Sequence, residues 1–458
     1  MFRSRSHVRW ALPLALGLSA LGLAVPAASA APPPGTAPVR DDFDGDGYAD
    51  LAVGAPHGTV GGQSRAGYVT VLYGGPHGVS TGRRTVVSRA TAGIPGSPAK
   101  GERFGVQVSK GDLDGDGYAD LVVGTGSARA DAVVVWGGPR GLAGGRQIPA
   151  TDTQTGDFDG DGRLDLALFR TGFAPGDDPV GTTATLWTGP VGRSGTPAAR
   201  TPLDPDGLRS VDVHDGATGD LDGDGRAELA LSVYCGDGSH CTRLYVNGPS
   251  GLTPTQSYPA GDGPVAFGDL NGDGYDDLVT TYIADERIWV AYGSATGLSP
   301  VGTWRAYWQN TPGVPGTAET GDRFGASVAV GDVTGDGFAD VAVGVPGENG
   351  AAGAVDVLRG SRTGLTGTGA QAFTQNTRGV PGTAERSDAF GGAVRLLDLD
   401  GDGRAELTAS AAGEDGGNGA VWVLRGRPSG LVTDGALVFG GKAVKAPYTK
   451  AAFGSELK

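Results

Sequence analysis

From residue 37 onward the apolar residues of this chain come in short bursts, and the bursts recur. Runs such as Leu51-Ala52-Val53-Gly54 and Leu121-Val122-Val123-Gly124 are followed, after a polar or Gly-rich gap, by runs with a period of two. Tyr68-Val69-Thr70-Val71-Leu72-Tyr73 and Ala132-Val133-Val134-Val135-Trp136 are examples. A β-branched run of this length, bounded by Gly, Pro and Asp, predicts a short buried strand. Each pair of runs closes on a Gly-rich turn, as at Gly74-Gly75-Pro76, Gly137-Gly138-Pro139, Gly248-Pro249 and Gly426-Arg427-Pro428. A weaker fourth strand leads into the next repeat. No helical period is visible after residue 30. Four short strands per repeat predict the blades of an all-β propeller.

Just ahead of each first run stands a nine-residue loop rich in Asp. Its copies begin at Asp42, Asp112, Asp157, Asp220, Asp269, Asp332 and Asp398, with starts 70, 45, 63, 49, 63 and 66 residues apart. Oxygen ligands fall at positions one, three, five and nine, and the backbone carbonyl of position seven is a fifth. The candidate ligands are Asp42, Asp44, Asp46, Tyr48 and Asp50 in the first loop and Asp112, Asp114, Asp116, Tyr118 and Asp120 in the second. The third has Asp157, Asp159, Asp161, Arg163 and Asp165; the fourth has Asp220, Asp222, Asp224, Arg226 and Glu228. The fifth has Asp269, Asn271, Asp273, Tyr275 and Asp277; the sixth has Asp332, Thr334, Asp336, Phe338 and Asp340. Asp398, Asp400, Asp402, Arg404 and Glu406 make the seventh. An all-oxygen set with glycines at positions four and six suits a hard cation of high coordination number, hence calcium rather than magnesium. An EF-hand is excluded, because position twelve is Val53 or Val123 instead of Glu and a strand follows instead of a helix.

Charge supports the same picture. The chain carries a net −15, or −18 without Arg3, Arg5 and Arg9. The loops hold 26 of the 51 acidic residues, so seven divalent ions would leave about −4. The acidity is mostly metal ligand, which argues against a nucleic-acid partner. Residues 1–30 read as a secretory signal: a basic start, an apolar run from Trp10 to Val25, and Ala28-Ser29-Ala30 as a cleavage site. Residues 31–36 are a Pro-rich segment, and no later stretch is apolar enough for a membrane span. The expectation is a secreted, extracellular monomer. In an exported chain Cys235 and Cys241 are expected to form a local disulfide, since a two-Cys metal site lacks further ligands around His240.

Three loops have Phe-Gly eight residues upstream, at Phe104-Gly105, Phe324-Gly325 and Phe390-Gly391, and the first has Gly54-Ala55-Pro56 downstream. Phe-Gly, a DxDGDGxxD loop and Gly-Ala-Pro together resemble the FG-GAP (or VCBS) repeat of integrin α-subunit propellers. The resemblance covers residues 37–458 and implies a seven-bladed propeller with about seven structural calcium ions. WD40 and kelch propellers lack such a loop, and the chain has no Trp-Asp dipeptide. The third, fourth and fifth repeats lack Phe-Gly, so their first strands rest on the loop alone. The chain ends Ala452-Phe453-Gly454-Ser455-Glu456-Leu457-Lys458, a repeat start without a loop. That ending is expected to close the ring as the innermost strand of the first blade, next to residues 38–41.

The resemblance also implies a binding function. Ligand, an extracellular protein or polysaccharide, would meet the face opposite the calcium hairpins, through loops near 56–66, 125–131, 171–182, 235–241, 283–286, 346–353 and 413–419. Aligned on Phe-Gly, Tyr307 matches Phe373 and Val87 and belongs to the blade core. Trp304 and Trp308 match Ala370 or Arg84 and Thr374 or Ser88, so they exceed what a blade needs. They are candidate ligand contacts, with an outer strand covering its neighbour as the alternative. The rival class is a carbohydrate-active enzyme, such as a polysaccharide lyase on a calcium-stabilised propeller. No catalytic constellation supports it. Gly78-Val79-Ser80-Thr81-Gly82 matches the hydrolase elbow but stands where another repeat has the turn Gly297-Leu298-Ser299-Pro300.

Overall fold

A computed structural model describes Met1 and residues 41–126, 131–170, 181–208, 212–236, 239–248, 251–255, 261 and 263–458. Residues 2–40, which include the signal and Pro-rich segments, lie outside the described residues. Seven four-stranded antiparallel sheets form a seven-bladed β-propeller. In blade 2 the strands run from the innermost outward as Val108–Gly111, Asp120–Val123, Ala132–Trp136 and Ala143–Ile148. Blades 3 to 7 repeat that meander in chain order. The three repeats without Phe-Gly still build innermost strands, at Asp152–Gly156, Asp212–Gly219 and Val265–Gly268.

Blade 1 takes its innermost strand from the far end of the chain. Glu456–Leu457 pairs with Leu51–Ala55, in register Val53 to Leu457 and Gly54 to Glu456. Ala52 and Lys458 exchange backbone hydrogen bonds of 2.8 and 3.0 Å. The C-terminal strand thus closes the ring as expected, beside Leu51–Ala55; of its expected neighbours at 38–41, residues 38–40 lie outside the described residues and Asp41 lies in a turn.

The core lies between blades. Phe104, Phe324, Phe390 and Phe453 are all fully buried. Each following glycine has a left-handed φ, from 84° to 93°, which a side chain would strain. Contact forbids a side chain on the strand glycine that faces this turn. A Cβ on Gly344 would stand 2.0 Å from the carbonyl oxygen of Gly391, and one on Gly54 would stand 2.3 Å from that of Gly105. The Phe-Gly turn of one blade and the strand glycine of its neighbour therefore interlock. Because both faces of each blade are covered, second and third strands such as Leu51–Ala55 and Ala132–Trp136 are buried at every residue. That is why their sequences read as unbroken apolar runs.

Candidate metal centres

Antiparallel pairing puts the Asp-rich loops at one end of the blades and the turns between second and third strands at the other. The loops form a ring. The carbonyl of position one accepts the N–H of position eight in the next loop: Ala119 to Asp42 at 2.8 Å, Ala227 to Asp157 at 2.7 Å, Asp276 to Asp220 at 2.9 Å, Ala339 to Asp269 at 2.9 Å and Ala405 to Asp332 at 2.7 Å. Position seven, read from sequence only as a carbonyl ligand, also ties loop to loop through its side chain. Tyr118 rests on Gly45, Tyr275 on Gly223, Phe338 on Gly272 and Tyr48 on Gly401, so closely that a glycine Cβ would stand 2.5–2.9 Å from the ring. Position four is glycine for this contact as well as for its φ of 73–76° in all seven loops.

Within a loop each carboxylate has a separate task. In the first loop Asp42 Oδ1 accepts the N–H groups of Gly45 and Asp46, and Oδ2 accepts that of Gly47 at 2.7 Å. This folds the chain around position one. Asp50 Oδ2 accepts the Phe43 N–H and Oδ1 the Gly74 N–H, both at 2.8 Å, which pins the loop to the turn after the third strand. Glu228 and Glu406 make the same two bonds from one methylene further out, to Leu221 and Asn247 and to Leu399 and Gly426.

These position-nine carboxyls are buried at the cost of their charge. Burial pushes Asp50 up to about 8 and Asp120, Glu228, Asp277 and Glu406 to about 7, against the pull of their backbone donors. Asp165 and Asp340 rise to about 6, again mainly by burial. At position three Asp44 and Asp114 are raised by burial too, and each leaves its Oδ1 buried without a hydrogen-bond partner.

The donor set fits a divalent ion. In the first, second, third, fourth and seventh loops, ligand atoms from positions one, three and nine lie within 4.8 Å of one another. A calcium ion with oxygens at ~2.4 Å spans about that distance. The fifth and sixth loops differ. Asn271 donates through Nδ2 to Asp273 at 2.9 Å and accepts the Asp273 N–H through Oδ1. Thr334 turns its hydroxyl onto Asp332 Oδ1 at 3.1 Å, and the Arg359 guanidinium reaches Asp340 Oδ2 at 3.1 Å. Arginines also meet three other loops, but from the rim, among them Arg427, which reaches Asp402 of the seventh at 3.2 Å. Arg83 bridges Asp44 and Asp46, and Arg193 bridges Asp114 and Asp116, with both arginines about half exposed.

The expected tryptophan pair is not formed. Trp304 is 8% exposed, packs with Leu278 and Ala291, and donates its indole N–H to the Ser299 carbonyl at 2.9 Å. It is core of blade 5, because the turn after Ser299 folds it inward. Trp308 is half-buried beneath the Arg287 guanidinium, 5.0 Å from the ring centre. Tyr307 is buried core, as are Phe373 and Val87. Cys241 is disulfide-bonded and stands opposite Val233 in its hairpin. The side chain of Cys235 lies outside the described residues, as do 127–130, 171–180 and 237–238 of the face loops. Ser80 is exposed in a turn with no helix after it, so it is not an elbow nucleophile. Among the described residues no helix is long and apolar enough to cross a membrane.

The FG-GAP repeat model matches residues 34–72, 104–136, 324–358 and 390–424, and an FG-GAP-like repeat model matches 220–280. Integrin alpha pat-2 of Caenorhabditis briggsae is 33% identical over 235 residues, covering 46% of this chain and 18% of that one. Integrin alpha-5 of Xenopus laevis is 34% identical over 170 residues, covering 36% and 15%. The matched part is thus less than a fifth of these relatives' length. A Burkholderia pseudomallei lectin aligns over 85% of this chain and 97% of its own at 15% identity and a TM-score of 0.47. Interlocked Phe-Gly turns, a ring of acidic hairpins and these matches converge: the chain is an FG-GAP repeat protein that resembles the integrin α-subunit propeller.

Proposed function

We propose that this propeller is exported by the leader at residues 1–30 and held rigid by calcium, and that residues 37–458 serve as a binding or adhesion scaffold for an extracellular protein or glycan. The observation that carries the reading is the orphaned Oδ1 of Asp44 and of Asp114, each beside two more carboxylates in a ring that already satisfies its backbone. Position one, three, five and nine side chains with the position-seven carbonyl would hold each ion, whose two positive charges would offset the buried carboxylates. Without that charge the loops repel themselves, and each bound site contributes RT ln(1 + [Ca]/Kd), roughly 1–3 kcal/mol at ten to a hundred times Kd. Five loops are strong sites, and those of Asn271 and Thr334 are weaker. The Cys235–Cys241 bridge tightens one hairpin on the binding face. Rigidity matters for a scaffold because loops fixed by the ring lose less freedom when they meet a partner.

The test is a retention screen of the calcium-loaded protein against cell-wall and extracellular polysaccharides and surface proteins. A ligand held without release of product supports the scaffold. Release of reducing ends or unsaturated sugars by the wild type would overturn it in favour of the lyase-like alternative.

A further inference from the structure

Two of the four histidines that follow residue 30 meet on blade 4, His214 and His240. Their ring centres stand 5.7 Å apart with the planes tilted by 41°. Aromatic rings that attract one another lie offset and parallel or edge to face, and this pair does neither. Both residues are exposed, so burial does not hold them together.

The topology does. Tyr234 pairs with Asp212 on one side and with His240 on the other. The three make a cross-strand row at the end of blade 4 opposite the Asp-rich loop. A bulge between Val213 and Asp215 makes His214 the extra residue of the innermost strand, Asp212–Gly219. Such a bulge re-aims a side chain, here toward His240. Tyr234 in turn meets the His240 ring edge-on at 5.2 Å, and Cys241, the next residue, is disulfide-bonded. The two imidazoles are therefore positioned by the fold and open to solvent.

Imidazole nitrogen suits zinc or copper, whereas calcium takes oxygen. With metal–nitrogen bonds of about 2.0–2.1 Å, two imidazoles on one ion place their ring centres about 4.5–6.5 Å apart. The observed separation lies in that range. The carboxylates of Asp212 and Asp215 are within electrostatic reach of His214, although Asp215 also faces Lys458 Nζ at 3.8 Å. Their charge favours a cation between the rings. His57 is the contrary case: it lies beside Arg65 and Arg103, whose charges repel one. We propose that His214 and His240 together bind one divalent d-block ion that prefers imidazole, such as zinc or copper, with water in the remaining positions. This site lies at the other end of the blade from the calcium loop and differs from it in chemistry. It goes beyond the scaffold reading and does not depend on it.

Titration of the chain with Zn²⁺ in a large excess of calcium counts the sites. The electron paramagnetic resonance spectrum with one equivalent of Cu²⁺ identifies the ligands. One zinc ion per chain that calcium does not displace is expected, with coupling of copper to two nitrogens. His214→Phe and His240→Phe should each weaken zinc by more than the roughly tenfold cost of losing even an outer-shell partner, and should leave one nitrogen on copper. His77→Ala, at an exposed histidine in a turn of blade 1, should change neither. Melting temperatures should be unchanged in all three. Where a histidine variant melts early, the wild-type copper spectrum still decides. Any of three results would overturn the proposal: no zinc bound in excess calcium, copper with oxygen ligands alone or a single nitrogen, or binding that survives both His→Phe changes.

Discussion

The first and sixth loops share a backbone and differ in what neutralises them. In the first, Asp44 brings a third carboxylate beside Asp42 and Asp50 and keeps one oxygen free. In the sixth, Thr334 spends its hydroxyl on Asp332, and Arg359 reaches from the third strand to Asp340, which is 2% exposed. Arg83 also touches the first loop, yet it approaches positions three and five from solvent, where an exposed pair contributes only ~0–1 kcal/mol. One loop therefore asks for an external cation and the other partly supplies its own. The same hairpin fold survives both because the bonds that shape it run from the carboxylates at positions one and nine to backbone N–H groups.

The largest break in this comparison comes from deleting residues 451–458. That removes the innermost strand of the blade holding the first loop, with Phe453 and Leu457 fully or nearly fully buried. Loss of a buried Phe alone costs about 3–5 kcal/mol, so chemical denaturation should show a loss of at least that size, and wild-type stability would refute ring closure. A smaller effect separates the loops themselves. Asp44→Ala should remove about 1–3 kcal/mol of the calcium-dependent stability, whereas Thr334→Ala should leave that increment nearly intact. Equal losses in melts with and without chelator would erase the distinction.

Acidity sharpens it further. Position-nine carboxyls have folded pKa values raised above their unfolded ones, so in metal-free protein they favour the fold while protonated. That stabilisation is present below about pH 4 and is lost as pH rises toward 6 to 8. Other carboxylates and net charge oppose it at the acid end. Chelated protein should consequently melt higher at pH 5.5 than at pH 8, and calcium should cancel or invert that order. An inverted order without calcium would contradict the burial argument. The smallest effect is a gain: Thr334→Asp with Arg359→Leu should add close to one tight ion per chain by elemental analysis, and an unchanged stoichiometry would show that the pair does not govern the sixth site.

Much of this could be read from residues. The Asp spacing located all seven loops, the apolar bursts located the second and third strands, and Phe453-Gly454 foretold the closing strand. Other features stayed hidden for definite reasons. Trp304 resembles Trp308 in sequence, and only the turn at Ser299 decides which faces inward. Arg359 lies 19 residues from Asp340 and in a position filled by Tyr73 or Tyr292 in other blades, so no motif marks it. The stacking of Tyr118 on Gly45 joins different repeats. Periodicity reports which face of its own strand a residue takes, and these features depend on contacts between strands or between blades.

The claim that calcium holds the ring is tested most directly by counting ions and melting the same sample. After dialysis against micromolar calcium, five or more tightly held ions per chain are expected, with the sites of Thr334 and Asn271 emptying first and a substantial fall in melting temperature on chelation. Two ions or fewer, with no thermal shift when the chelator is added, would contradict the account.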